Sequence, residues 1–523
     1  MLNNKIEERK ELWISDLGDG FYQNPILFAD YSDPDVIRVN SDFYMVASSF
    51  TYIPGIPLLH SKDLVNWKVV NYIITNIPLA AYEKPQHGNG SWAPSIRYHD
   101  NKFWVFFSTP DEGIFMSNVE DPLGKWSPLV CIKEVEGWID PCPFWDEDGQ
   151  AYLVHAFARS RCGIKHLLHI NKMSPDGTRL LDNGTLVFDG TIKHPTIEGP
   201  KMYKRNGYYY IFAPAGGVKP GFQTILRSKN VYGPYEDKIV LHQGNTDING
   251  PHQGGFVELI SGESWFIHFQ DCYEYGRIVH LQPVKWVEDW PLMGEDINGD
   301  GIGEPVSRWK KPDVGGSYPI VVPETSDEFN AEKLGLQWQW QANPKKEWYS
   351  LTEYPGKLRL FSTGDETIHS NTLYNSSNLL SQVIQAPEFK ATVKFTLVTN
   401  NKDNKAGLVI MGFHHSYISL SKADKGYVIS QTIGLANDGE VKEDVVESKN
   451  VESNTIYFRV KVEYAMKCTF SYSFDGENFE KFGKSFKGSE GHWVGAKIGI
   501  FNLNFAKEQS KGYSDFDWIR FCR

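Results

Sequence analysis

The chain has 523 residues, of which 41% are hydrophobic and 23% charged, which excludes a disordered protein and predicts two or three folded domains. The formal net charge of −12 argues against binding to nucleic acid or to an anionic membrane, because both partners are themselves negative. No apolar run reaches the roughly 18 residues of a membrane span, and the start, MLNNKIEERKELW, lacks the apolar core of a secretory signal, so we expect a cytoplasmic protein or a secreted one whose signal has been removed.

Five aromatic segments recur at intervals of about 50 to 60 residues in the first part of the chain. They are SDFYMVASS, NKFWVFFS, GQAYLVHAF, NGYYYIFAP and GESWFIHF. Each lies next to a turn signal of Gly, Asn or Asp, which indicates a strand and not a helix. A repeat of this length holds four short strands, so the pattern predicts a five-bladed β-propeller over residues 1–312.

A short segment containing proline precedes each aromatic strand by about 10 to 13 residues. Because the innermost strand of a propeller blade lines the central channel, these segments should bring one residue from each blade to the channel mouth. The five residues are Asp33, Trp92, Asp140, Glu198 and His252. Three unpaired carboxylates would be costly in a purely structural core, so this set indicates a functional pocket.

The remainder of the chain differs from the first part in composition and in the pattern of its apolar residues. Residues 313–322 belong to a stretch rich in Pro and Gly and predict a linker. Segments such as KATVKFTL and IYFRVKVEY then alternate with period two, and Asp475-Gly476 marks a hairpin turn. We therefore expect an all-β protein in which residues 323–523 form a β-sandwich of the lectin-like jelly-roll kind.

Two of the three channel carboxylates are enough for glycoside hydrolysis. The reaction needs one protonated acid to assist the leaving oxygen and a second carboxylate as base or nucleophile. A third carboxylate near the acid raises its pKa by repulsion between like charges. Asp33, Asp140 and Glu198 together meet these requirements.

These residues lie in stretches that resemble glycoside hydrolase family 43, the β-xylosidases and α-L-arabinofuranosidases, over nearly the whole chain. The matching stretches include NPILFADYSDPDVIRV, SWAPSIRYHDNKFWVFFS, GWIDPCPFWDEDGQAYLVHA and IEGPKMYKRNGYYYIF. The resemblance implies that Asp33 is the general base, Glu198 the general acid and Asp140 the residue that tunes and orients the acid. It also implies inversion at the anomeric carbon, with the acid and base about 6.5–9.5 Å apart.

The resemblance extends to the residues that would hold the sugar. It implies that Phe50 and Trp92 wall the subsite of the terminal sugar, that Arg277 binds sugar hydroxyls, and that Ile139 adds apolar wall. The sandwich would close the pocket through the loop GIFNLNFAKEQSKGYS, with Phe501 or Phe505 as a wall. The alternative is that the sandwich is a carbohydrate-binding module.

No cofactor is expected for the chemistry, but a structural or activating calcium ion is. In similar proteins a histidine near the propeller axis contacts a hydrated ion, a position that His252 would fill. Asp327 and Asp517 resemble the calcium-binding edge of lectin-like sandwiches, where oxygen ligands suit this cation.

The sequence thus predicts an inverting exo-glycosidase that releases terminal pentoses from xylooligosaccharides or arabinoxylan fragments. A β-1,4-xylosidase with additional α-L-arabinofuranosidase activity is the leading hypothesis. A strict α-L-arabinofuranosidase is the alternative, and a non-catalytic carbohydrate-binding propeller is the alternative from another class. The sequence leaves the oligomeric state open.

Overall fold

The first part of the chain folds into five four-stranded antiparallel sheets in a computed structural model that describes residues 11–362, 372–437, 439–504 and 512–523. A short strand, β1 (Phe21–Gln23), precedes them. The first two blades comprise β2 (Asp35–Val39), β3 (Asp42–Val46), β4 (Gly55–Ser61) and β5 (Trp67–Ile74), then β6 (Trp92–His99), β7 (Lys102–Thr109), β8 (Gly113–Val119) and β9 (Val130–Glu134). The third and fourth comprise β10 (Trp138–Trp145), β11 (Ala151–Phe157), β12 (Leu167–Met173) and β13 (Thr185–Asp189), then β14 (Lys201–Arg205), β15 (Tyr208–Ala215), β16 (Phe222–Ser228) and β17 (Glu236–Leu241). The fifth comprises β18 (His252–Glu258), β19 (Ser264–Asp271), β20 (Arg277–Val287) and β21 (Trp290–Met293).

The predicted five-bladed propeller is confirmed, and each aromatic segment is the second strand of its blade. The aromatic content follows from how blades pack, because alternate side chains of a strand point to opposite faces of its sheet. In β7, Phe103, Val105 and Phe107 join the core between the first and second blades, whereas Trp104 and Phe106 join the core between the second and third. A strand buried on both faces therefore reads as a continuous aromatic and aliphatic run.

The two ends of the propeller meet in a small ribbon. Strand β22 (Arg308–Lys310), which follows the last blade, pairs antiparallel with β1. Leu27 forms a further bridge to Val279 in the last blade. The ring is thereby closed by segments that flank the blades, and each blade is built from consecutive strands.

The C-terminal part is a sandwich of two seven-stranded sheets. Its strands are β23 (Gln339–Trp340), β24 (Tyr349–Ser350), β25 (Leu358–Phe361), β26 (Leu380–Val383), β27 (Phe389–Val398), β28 (Asn404–Met411), β29 (His414–Lys422), β30 (Tyr427–Asn437), β31 (Glu440–Val451), β32 (Thr455–Glu463), β33 (Lys467–Ser473), β34 (Glu480–Lys487), β35 (Lys497–Asn504) and β36 (Tyr513–Cys522). Residues 313–322, the predicted linker, contain no strand or helix. The all-β prediction with a C-terminal sandwich is confirmed.

Helical structure is confined to single turns in the described ranges. They are α1 (Arg159–Cys162) and the 3-10 turns Ala80–Glu83, Tyr273–Tyr275, Lys346–Trp348 and Tyr464–Met466. None of these is long and apolar enough to cross a membrane.

The sandwich packs directly on the first blade. Ile53 and Trp340 exchange two backbone hydrogen bonds of 2.9 and 2.6 Å, which join the two domains edge to edge. The side chain of Asn343 bonds the backbone of Ile77 through both its oxygen and its nitrogen. These contacts hold the sandwich beside the end of the propeller at which the predicted carboxylates lie.

Candidate active site

A cavity of about 560 Å³ collects the predicted channel residues at one end of the propeller. Among its lining residues are all eight propeller residues that the sequence predicted for catalysis, sugar binding or the axial ion: Asp33, Phe50, Trp92, Ile139, Asp140, Glu198, His252 and Arg277. The lining also includes Lys165, Gln253 and Trp493, which the sequence analysis did not propose. A separate cavity of about 700 Å³ runs along the linker. Neither Glu198 nor Asp140 lines it.

The backbone repeats at this end of the propeller in every blade. One residue per blade, preceding a proline or glycine, has a positive φ: Asp33 (53°), Ala93 (34°), Asp140 (58°), Gly199 (59°) and Gln253 (33°). The structurally equivalent set therefore differs from the predicted one. Asp33 and Asp140 occupy the repeated position, whereas Trp92, Glu198 and His252 each lie one residue earlier, so their side chains approach the cavity from a different angle.

Asp33 accepts hydrogen bonds from three donors. The hydroxyls of Ser32 and Ser48 donate to its Oδ2 at 2.8 and 2.6 Å, and Nη1 of Arg277 lies 3.2 Å from its Oδ1. The same Arg277 nitrogen donates to Ser32 Oγ at 2.6 Å, and the N–H of Ala93 donates to Ser48 Oγ at 2.7 Å. These contacts fix the orientation of the Asp33 carboxyl group and place a guanidinium beside it.

Asp140 is 2% exposed and lies between two blades. Its Oδ2 accepts the N–H of Gly199 at 2.8 Å and the amide of Gln253 at 3.4 Å. Burial, followed by the charge of Asp33, raises the pKa of Asp140 to about 7, and the bond from Gly199 opposes this rise. The Gly199 contact also ties Asp140 to the residue that follows Glu198.

Among the described residues, none donates a hydrogen bond to the Glu198 carboxyl group, in contrast to the other two carboxylates. Burial within the propeller mouth raises its pKa to about 8, and the charges of Asp140 and Asp33 contribute to the rise. About 25% of the Glu198 side chain is exposed, because it faces the cavity. Of the two coupled acids, Asp140 has donors that stabilise its charge and Glu198 does not, so Glu198 keeps the proton.

Aromatic rings form the wall of the cavity. Phe50 and Trp92 meet edge to face with their centroids 6.2 Å apart, and Trp92 makes a similar contact with Trp493 at 6.4 Å. The guanidinium of Arg161 lies 5.5 Å from the centre of the Trp92 ring. Ile139, at 5% exposure, adds an aliphatic surface. The faces of sugar rings suit such an arrangement, because their C–H groups pack against aromatic surfaces.

The sandwich supplies Trp493, which lies in the segment GHWVG before β35. The loop after β35 was predicted to supply the wall instead. Phe501 is fully buried in the sandwich and packs on Tyr417 at 5.4 Å, so that candidate is wrong. Phe505 lies outside the described residues. Glycines on both sides of an aromatic residue were the signal in the sequence that could have identified Trp493.

The predicted calcium ligands in the sandwich are engaged by other groups. Asp327 Oδ2 accepts the indole N–H of Trp338 at 2.8 Å, and Asp517 Oδ1 forms ion pairs with Lys394 at 3.2 Å and Lys357 at 3.4 Å. Two lysines beside one carboxylate would repel a divalent cation. This repulsion applies to Asp517 and not to Asp327, and calcium at this edge of the sandwich stays a prediction.

His252 is 1% exposed, and neither of its ring nitrogens has a hydrogen-bond partner in the part of the chain that the structure describes. Its Nε2 lies 3.4 Å from Glu198 Oε1 without hydrogen-bond geometry. Burial lowers the pKa of His252 to about 3, so the ring is neutral. Across the described ranges no group of three or more His, Cys, Asp or Glu residues is placed to hold a metal ion. The residues fit a single protein ligand at this position, and water would have to supply the other ligands of any ion.

Two family models together match most of the chain. The model of "Glycosyl hydrolases family 43" matches residues 22–291, and that of "Beta xylosidase C-terminal Concanavalin A-like domain" matches residues 326–522. The first match covers the propeller, including the carboxylate cavity, and the second covers the sandwich.

Individual relatives agree with the family models. A putative β-xylosidase of Xylanibacter ruminicola is 41% identical over 489 residues, which cover 92% of this chain and 86% of the relative. A non-reducing end α-L-arabinofuranosidase of Bacteroides ovatus is 27% identical over 98% of this chain and 97% of its own. The crystal structure of xylan β-1,4-xylosidase from Bacillus halodurans superposes with a TM-score of 0.85 at 24% identity, covering 96% of this chain and 100% of that one, and shows the same fold.

Proposed function

The chain belongs to glycosyl hydrolase family 43 and is a glycoside hydrolase, and from this premise we propose that it is an inverting exo-β-xylosidase that also removes α-L-arabinofuranosyl groups. Relatives named β-xylosidase and α-L-arabinofuranosidase support both activities. The observation that carries the proposal is the contrast between two carboxylates of one cavity. Asp33 is surrounded by hydrogen-bond donors, whereas Glu198 is buried beside negative charge.

The contrast assigns opposite roles to the two groups. Asp33, as an ionised base, takes a proton from a water molecule as the water oxygen bonds to the anomeric carbon. Glu198, as a protonated acid, gives its proton to the glycosidic oxygen as the bond from that oxygen to the anomeric carbon breaks. The products are one free pentose and a shortened alcohol. Solvent then returns Asp33 and Glu198 to their starting protonation states.

Asp140 acts on the acid and not on the substrate bond. Its charge contributes to the raised pKa of Glu198, and its hydrogen bond to Gly199 fixes the backbone next to that residue. Arg277 has a double role in the proposal. It donates a hydrogen bond to Asp33, and its remaining guanidinium N–H groups, at 8% exposure on the cavity wall, bind hydroxyls of the terminal sugar.

Exo action follows from the walls of the cavity. Phe50 and Trp92 from the propeller and Trp493 from the sandwich surround it, so a chain end can enter and the middle of a polymer cannot pass through. The sandwich acts in this proposal as part of the pocket, in preference to a separate polymer-binding module. Xylooligosaccharides and arabinoxylan fragments are the substrates that fit a site of this kind.

An assay on two natural linkages tests the proposal. Wild-type protein and the Glu198→Gln variant would be compared on xylobiose and on an arabinofuranosyl-substituted xylooligosaccharide, because a sugar hydroxyl is a poor leaving group that needs a proton from the acid. Loss of a general acid is expected to lower kcat/KM by about 10²- to 10⁴-fold for both. The matched control is Glu236→Gln, because Glu236 lies in the same blade but pairs with Arg227 outside the cavity. Near-wild-type activity of Glu198→Gln would refute the assignment, and a wild-type protein that turns over neither substrate would favour the carbohydrate-binding alternative.

We propose one calcium site, on the propeller axis next to His252. The unpartnered nitrogens of buried His252 support an ion held mainly by water near this residue. Such an ion would supply positive charge beneath the cavity. The acid and base steps above need only the residues of this chain and water.

A further inference from the structure

One buried carboxylate outside the cavity joins the propeller to the sandwich. Asp30 lies in the segment before the first blade and is 9% exposed. Its Oδ1 accepts the N–H of Arg277 at 2.9 Å, and its Oδ2 accepts the N–H of Gly495 at 2.8 Å. Arg277 begins a strand of the last blade, whereas Gly495 belongs to the sandwich loop that carries Trp493. Each oxygen of Asp30 thus holds the backbone of a different domain.

Two glycines allow the backbones to meet at this carboxylate. A Cβ on Gly276 would lie 2.5 Å from Asp30 Cγ and 2.6 Å from the Gly495 nitrogen. A Cβ on Gly495 would lie 2.6 Å from the Gly276 nitrogen. All three distances are shorter than real Cβ contacts, so the two backbone segments touch with no side chain between them. The N–H of Ala496 adds a bond of 2.8 Å to the carbonyl of Glu274.

Asp30 is connected to the cavity through two residues that line it, Arg277 in the propeller and Trp493 in the sandwich. Arg277 is held at its backbone by Asp30, while its side chain reaches Asp33. Gly495 is held by the same carboxylate two residues after Trp493, which has a φ of 65° and therefore needs support from its surroundings. The Arg277 guanidinium also lies 5.8 Å from the Trp493 ring. A shift at Asp30 would therefore move the cation and the ring together.

Lys497 supplies the positive charge next to this junction. It is 4% exposed, and its ammonium lies 4.2 Å from the centre of the Tyr52 ring. The Lys497 charge opposes the rise that burial imposes on the pKa of Asp30. In the same way, the Asp30 charge opposes the fall that burial imposes on the pKa of Lys497. A buried carboxylate without partners would strongly destabilise the fold. The two backbone donors and the nearby ammonium offset this cost at Asp30.

We propose that Asp30 is a positioning residue, which clamps the Trp493 loop of the sandwich to the start of the Arg277 strand and so sets the width of the sugar pocket. The proposal rests on the function proposed above for this pocket. Asp30 itself contacts no reacting group. Its effect reaches the substrate through Trp493 and Arg277.

The Asp30→Asn variant tests the clamp, because an amide offers one acceptor where the carboxylate offers two. Its NH₂ group must face one of the two N–H donors, so one side of the clamp opens. We expect the KM for p-nitrophenyl β-D-xylopyranoside to rise about tenfold, with a smaller change in kcat. The matched control is Asp63→Asn. Asp63 is also buried, accepts the N–H groups of Val65 and Asn66, and pairs with Lys311, but it lies within the first blade.

A merely structural role would lower the stability of both aspartate variants and leave KM unchanged. The clamp predicts a specific coupling instead. Trp493→Ala should raise KM, and adding Asp30→Asn to it should raise KM by less than Asp30→Asn does alone, because the route through Trp493 is already lost and only the route through Arg277 remains. Independent effects that multiply in the double variant would overturn the proposal.

Amide hydrogen exchange gives a readout that does not depend on activity. Peptides that cover residues 490–496 and 274–279 should exchange faster in Asp30→Asn than in the wild type and in Asp63→Asn. This result can be obtained even if the wild type hydrolyses no pentoside, so failure of the proposed function and failure of the clamp are distinguishable. Unchanged exchange in both peptides would refute the clamp. If Asp30→Asn does not fold, Gly495→Ala disturbs the same contact from the sandwich side and should give the same two results.

Discussion

The Asp140→Asn variant separates the two main causes of the raised pKa of Glu198, which are burial and the negative charge of Asp140. The substitution removes one negative charge and keeps the shape of the side chain. The amide oxygen can still accept the Gly199 N–H that Asp140 Oδ2 accepts at 2.8 Å. Burial is the largest cause of the raised pKa of Glu198 and remains in the variant, whereas the charge of Asp140, the next cause, is lost.

The magnitude follows from the pKa values. Asp140 has a pKa of about 7, so it is mostly ionised in the range where Glu198, with a pKa of about 8, loses its proton. Loss of a like charge at short range should lower the pKa of Glu198 by about one unit, or about 1.4 kcal/mol. At pH 8 the protonated fraction of Glu198 would then fall from about one half to about one tenth. The expected loss of kcat/KM from this cause is therefore about fivefold.

The assay is the pH profile of kcat/KM on xylobiose, whose leaving group needs a proton, from about pH 4 to about pH 10, which reports the groups of the free enzyme. The alkaline limb should move about one unit toward lower pH in Asp140→Asn. Asp146→Asn is the control, because Asp146 lies at the far end of the same blade, where it pairs with Lys204. An alkaline limb that stays at the wild-type position in Asp140→Asn would refute the electrostatic role of Asp140.

Two further predictions concern stability and ions. The pKa of Glu198 is raised in the folded state from its ordinary value of 4.5 to about 8, so its contribution to stability is fully present below about pH 4.5 and is lost as the pH rises toward 8. Glu198→Gln should therefore match the wild type in urea unfolding at low pH and exceed it by about 1 to 3 kcal/mol at pH 8, and an equal difference at both pH values would contradict this account. If an ion binds at the axis, EDTA should lower wild-type activity, added calcium should restore it, and His252→Ala should lose this response, whereas activity unaffected by EDTA would remove calcium from the proposal.

The sequence was sufficient to predict the propeller because its signal is local and repeated. Phe103 and Trp104 are neighbours in sequence that face different blade interfaces, and the resulting aromatic run recurs five times. The position of Asp33, Asp140 and Glu198 in this repeat was enough to bring them to one cavity. The one-residue offset between Asp140 and Glu198 was not visible, because it depends on which residue adopts the positive φ before proline.

Contacts between the domains could not be read from the sequence. Trp493 reaches the cavity only because the sandwich packs on the first blade and Asp30 binds Gly495, contacts between residues that are hundreds of positions apart. Phe501 lies in β35, in which every residue is buried, and the sequence alone does not tell that its ring faces the sandwich core. For a related reason the sequence does not tell whether Asp517 lies beside lysines, as it does here, or beside a calcium ion.

The anomeric form of the first product tests the central claim most directly. Proton NMR during the first minutes of hydrolysis of a β-xyloside distinguishes the two anomers before they equilibrate. Attack by a water molecule activated by Asp33, opposite a leaving oxygen protonated by Glu198, predicts that α-xylose appears first and β-xylose follows by mutarotation. Initial release of β-xylose would mean that a carboxylate attacks the sugar itself, and would contradict the roles assigned to these two residues.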